Sequence, residues 1–97
     1  MKKELTYRYQ NTSNGEDAFS MAMKALDRAE RENVFPVKVD FKFDNEFRKI
    51  QGKGRGFEIS LEFFDKELDL FLDLSFVLKP AKRKILSSIE NELCKFI

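Results

Sequence analysis

Two runs of strict alternation leave this chain little freedom of fold. Phe57, Ile59, Leu61 and Phe63 alternate with Glu58, Ser60 and Glu62, and Leu68, Leu70, Leu72 and Leu74 alternate with Asp69, Phe71 and Asp73. Successive side chains of a strand point to opposite faces, so a period of two makes one face apolar and the other wet. Only the turn residues Asp65-Lys66-Glu67 and Phe64 separate the runs. That is too short for a crossover helix, so the two strands pair antiparallel. Their apolar face then needs a cover, which the rest of the chain must supply.

The remaining elements follow from the same periodicities. Leu5, Tyr7 and Tyr9 predict a first strand, and Val37, Val39, Phe41 and Phe43 predict another. Ser13 with Glu16 three residues on matches a capping box. Beyond it Ala18, Phe19, Ala22, Met23, Leu26 and Ala29 place one apolar face on a helix that should stop near Asn33, ahead of Pro36. Asp44-Asn45-Glu46 predicts a turn, since Asp and Asn side chains bond nearby backbone. A strand over residues 47–53 follows, with a bulge expected because Phe47 and Ile50 have opposite parity. Pro80 marks the start of a last helix with Ile85, Ile89 and Leu93 on one face and Lys95 on the charged side. The reading is one α+β domain over residues 1–97, in the order β-α-β-β-β-β-α, an antiparallel sheet with both helices on one face.

Composition narrows the functional classes. With no histidine and one cysteine, Cys94, the chain lacks the residue most used for general acid–base work and the makings of an ordinary zinc site. A thiol near the end of an amphipathic helix is expected as buried filler. The carboxylates Glu58, Glu62, Asp69 and Asp73 fit a solvated strand face. No enzyme, metal or cofactor is expected. A lone cysteine, a charged N-terminal stretch and no long apolar run predict a cytoplasmic protein without a transmembrane segment.

The net charge of +1 hides segregated runs. Gly52-Lys53-Gly54-Arg55-Gly56 resembles an anion cradle, but it lacks the spacing of a phosphate-binding loop. A tight hairpin needing positive φ explains its glycines without a ligand. Lys82, Arg83 and Lys84 fall in the first turns of the last helix, where the dipole disfavours cations. Lys53, Arg55, Lys82, Arg83 and Lys84 are therefore the candidate anion-binding residues. Phe64 and Phe71 face away from the apolar residues around them and form the candidate apolar interface.

From Gly56 onward the chain resembles the small polyhydroxyalkanoic acid system protein family, which is associated with bacterial polyester storage granules. The resemblance runs through Gly56-Phe57, Ile59, Leu61-Glu62, Asp65 to Leu74 and Phe76-Val77-Leu78-Lys79-Pro80. It continues at Lys82, Lys84-Ile85, Ile89 and Glu92-Leu93. Ala81 and Arg83 depart from the family pattern, and residues 1–46 share only its layout. The resemblance implies a shortened helix-grip-like domain with the last helix laid across the sheet, and it brings no catalytic residues. The resulting expectation is a non-catalytic binding or granule-associated protein. Its partner would be a polyester granule surface, another protein or a second copy of itself. An anion- or RNA-binding module and a small apolar-ligand binder are the alternatives, with nucleic acid ranked behind a protein or surface partner.

Overall fold

The computed structural model describes residues 2–35 and 37–97. It contains strand β1 (Lys2–Arg8), helix α1 (Gly15–Arg31), strands β2 (Asp40–Asp44), β3 (Lys49–Gly54), β4 (Phe57–Phe63) and β5 (Glu67–Leu74), a 3-10 segment (Phe76–Ala81) and helix α2 (Lys82–Cys94). The strands form one antiparallel sheet in the order β1-β5-β4-β3-β2. The architecture is the expected α+β arrangement.

The alternating runs pair as their periodicity requires. Ile59 faces Leu72, Leu61 faces Leu70 and Phe63 faces Leu68, so the apolar residues of β4 and β5 share one side. The helices cover that side with Phe19, Ala22 and Leu26 from α1 and Ile85, Ile89 and Leu93 from α2, all buried in one cluster. Phe19 meets Phe63 edge-on, ring centroids 5.6 Å apart. Ile97 is buried in the same cluster, and its carbonyl accepts hydrogen bonds from the backbone N–H groups of Gln10 and Asn11 at 2.8 and 2.9 Å.

Several local expectations are corrected. The N-cap of α1 is Asn14, not Ser13: its side-chain oxygen accepts from the Asp17 N–H at 2.8 Å. An amide oxygen caps as well as a hydroxyl, so the choice falls to whichever residue is extended immediately before Gly15. No bulge interrupts β3, because Phe47 lies in the preceding turn, 72 % exposed, and has no place in the alternation. The irregularity sits in β1 between Lys3 and Leu5. Of the three glycines expected to open the β3–β4 hairpin, only Gly56 has positive φ, at 82°. Gly52 lies within β3, where a Cβ would stand 2.7 Å from Ile59 and 2.9 Å from Phe41. Space, not dihedral freedom, requires that glycine. Val37 and Val39 precede β2, although Val39 is buried.

The charged side of α2 also holds a surprise. Glu92 is only 6 % exposed, and its carboxylate lies 3.4 Å from Lys95 Nζ and 3.8 Å from an Arg28 nitrogen on α1. Arg28 also covers the Phe96 ring, 5.1 Å from its centroid. Lys95 therefore serves a buried carboxylate, where a freely solvated side chain was expected. No helix among the described residues is long and apolar enough to cross a membrane.

Candidate anionic-surface interface

The β3–β4 hairpin and the exit from β5 lie side by side because β4 pairs with both strands. Phe57, the first residue of β4, faces Gly54 on one side and Leu74 on the other. Just beyond, the Ser75 N–H donates to the Gly56 carbonyl at 2.7 Å. The glycine-rich hairpin and the segment leading into α2 thus share one end of the sheet. Lys53 and Arg55 come from the first, and Lys79, Lys82, Arg83 and Lys84 from the second.

The start of β1 completes this end. The irregularity after Lys3 leaves Glu4 outside the β1–β5 register, and its carboxylate meets Lys82 Nζ at 2.8 Å. Lys2, Glu4, Leu72, Asp73, Leu74, Lys79 and Lys82 line a shallow hollow of about 380 Å³. Lys53 pairs with Glu58 at 3.4 Å. Of the five expected anion-binding residues, Lys53 and Lys82 are therefore engaged with carboxylates, whereas Arg55, Arg83 and Lys84 have no such partner among the described residues. Lys79 is in the same position and was not among the sequence candidates. Ala81, the N-cap of α2, supplies no side-chain hydrogen bond to the first-turn N–H groups. The 3-10 segment runs straight into α2, and the Lys82 N–H donates to the Lys79 carbonyl, so the charge at this end comes from the side chains rather than from free helix N–H groups.

The most exposed apolar pair among the described residues is not Phe64 and Phe71. Phe76 and Val77 open the 3-10 segment and are 86 % and 82 % exposed. They adjoin each other, with Lys79 two residues on. Phe64 is half exposed beside the β4–β5 turn, where its N–H donates to the Glu67 carbonyl and its own carbonyl accepts from the Tyr9 hydroxyl at 2.7 Å. Phe71 is half-buried on the uncovered sheet face, opposite Ser60 and Lys3. Phe64 lies level with Glu67, four residues along β5 from Phe71, or roughly 13 Å, so the two rings do not form one patch. Phe76 and Val77 were legible only as an apolar pair that breaks the alternation after Leu74.

The space between the sheet and α2, where an apolar ligand would sit in a helix-grip fold, is occupied by Leu70, Leu72, Ile85, Ile89 and Leu93. Ser60 Oγ is buried on the opposite face without a hydrogen-bond partner. Among the described residues no group of three His, Cys, Asp or Glu side chains is placed to hold a metal ion. Comparison of the chain with protein-family models, curated proteins and solved structures finds no match.

Proposed function

We propose that this chain is a non-catalytic binding domain that docks on an apolar surface carrying anionic groups, as expected of a polyester-granule surface protein. Phe76 and Val77 are the contact, and Arg55, Lys79, Arg83 and Lys84, at the same end of the sheet, supply the charge. The observation that carries the reading is the near-complete exposure of two adjacent large apolar side chains, in a segment that also carries Lys79 and is bonded through Ser75 to the hairpin of Arg55. Burying a Phe or Val side chain is worth about 1.5–3 kcal/mol. Each Lys or Arg held near an anionic surface adds about 1 kcal/mol. Together these give reversible attachment without a membrane-spanning element. A phosphate backbone such as RNA would use the same bases but would leave Val77 without a role.

The test is co-sedimentation with vesicles of phosphatidylglycerol, with vesicles of phosphatidylcholine and with purified polyester granules. The wild type is expected to pellet with the anionic vesicles and the granules, and a Phe76→Ser/Val77→Ser variant to stay in the supernatant with an unchanged melting temperature. Equal pelleting of the two proteins would remove the Phe76-Val77 tip as the contact. RNA binding that falls steeply with salt and ignores this double substitution would put the nucleic-acid reading in its place.

A further inference from the structure

The two edges of the sheet are treated differently. At β1 the irregularity after Lys3 breaks the ladder, and the charged residues on the uncovered face, Lys3 and Arg8, are both basic. These are the usual means by which an edge strand repels a second copy. Strand β2 has no such break, and its charges alternate in sign. It is regular against β3 from Asp40 to Asp44.

Its free hydrogen-bonding groups can be located. The Phe63 N–H donates to the Arg48 carbonyl at 3.0 Å, and antiparallel pairs alternate between bonded and non-bonded. Ile50 and Gly52 therefore bond to β4, and Lys49, Gln51 and Lys53 to β2, where they face Asp44, Lys42 and Asp40. The backbone groups of Phe41 and Phe43 point to the open edge. Both rings are only half-buried and lie 6.3 Å apart, with Phe35 5.8 Å from Phe41.

We propose that β2 is a homodimerisation strand: two copies pair their β2 edges antiparallel about a two-fold axis at Phe41, joining their five-stranded sheets into one. The occupant follows from the charge order. Along the uncovered face the chain reads Lys38, Asp40, Lys42, Asp44. A two-fold at Phe41 sets Asp40 opposite Lys42 of the other copy and Lys38 opposite Asp44, so every one of these charges meets its opposite. A two-fold at Lys42 would instead oppose Asp40 to Asp44 and Lys42 to itself. A two-fold at Phe43 would set Asp40 against Glu46. On the helix side the chosen register places Phe41 against Phe41 and Phe43 against Val39. The Phe41 groups that face the open edge would form the central hydrogen-bonded pair, and the charged residues the close non-bonded pairs.

Sedimentation velocity from micromolar to submillimolar protein tests this. The wild type is expected to dimerise. Lys42→Asp and Asp40→Lys each create two like-charge pairs by symmetry and should weaken the dimer at least roughly tenfold. An equimolar mixture of the two variants restores both opposite-charge pairs and should form the heterodimer. If Asp40→Lys fails to fold, Lys38→Asp, which sets like charges at both outer pairs and leaves the Asp44 bonds to the Glu46 and Phe47 N–H groups intact, makes the same test. A monomeric wild type, dimers indifferent to both single substitutions, or a mixture that stays monomeric would each overturn the proposal. Phe76→Ser/Val77→Ser should dimerise like wild type, which separates this surface from the basic end.

Discussion

The Ser75 N–H donates to the Gly56 carbonyl at 2.7 Å, and this bond ties the glycine-rich hairpin to the segment that carries Phe76 and Val77. Gly56 holds φ at 82°, and a Cβ there would stand 2.8 Å from Ser75 Oγ and 3.2 Å from Leu78 Cδ1. Dihedral and space both demand glycine. Gly56→Ala should therefore lower stability by about 1–3 kcal/mol. Arg55→Ala beside it, an exposed side chain without an ionic partner, should stay within about 0.5 kcal/mol. Urea melts of the two variants check the contrast, and equal midpoints would mean that the hairpin has room to relax.

The second expectation concerns α2. Ile85, Ile89 and Leu93 are buried against the leucine face of β5, so the helix is held by packing while its first turn carries only basic charge. Leu93→Ala should cost about 2–5 kcal/mol, a large share of the roughly 5–15 kcal/mol typical of a domain. A melt indistinguishable from wild type would show that α2 is not docked.

Alkaline pH gives a third measurement. The Tyr9 hydroxyl lies 2.7 and 2.8 Å from the carbonyl oxygens of Phe64 and Glu67, which share its one proton, and burial pushes its pKa up from 10.0 to about 12. The folded protein then holds this proton more tightly than the unfolded chain. Its contribution is complete below pH 10 and is lost as pH rises from 10 to about 12. Tyr9→Phe should lose about 1 kcal/mol at neutral pH, because the two carbonyls lose the one donor they share. It should also show a smaller decline over the alkaline range. A residual decline is expected from Tyr7, which burial, and then the neighbouring Cys94, raise to about 12 as well. Identical alkaline profiles for wild type and Tyr9→Phe would exclude the phenol as a source of that decline.

Periodicity alone determined the sheet and its cover. The alternation in residues 57–63 and 68–74 and the ladder Ile85, Ile89, Leu93 each admit one way of burying their apolar side, and they set pairing sense and helix face, whereas the place of β1 beside β5 came only from the fold. The same reasoning failed at Phe47, because parity counts only residues inside a strand and cannot tell when the chain has turned. It placed the cap at Ser13, since Ser and Asn cap equally well and only the backbone at residue 14 decides between them. The basic runs were also legible, but their meaning was not. Lys53 and Lys82 find carboxylates on Glu58 and Glu4, residues close by in the sheet or distant in the chain, and only the strand pairing shows which bases are left without one. The tertiary structure alone joined the hairpin to the start of α2, left Phe76 and Val77 in water, buried Glu92 between the helices and opened one edge of the sheet. Each of these depends on which segments become neighbours through long-range pairing. Local spacing carries no record of that, because residues that touch in the fold are separated by whole elements in the chain.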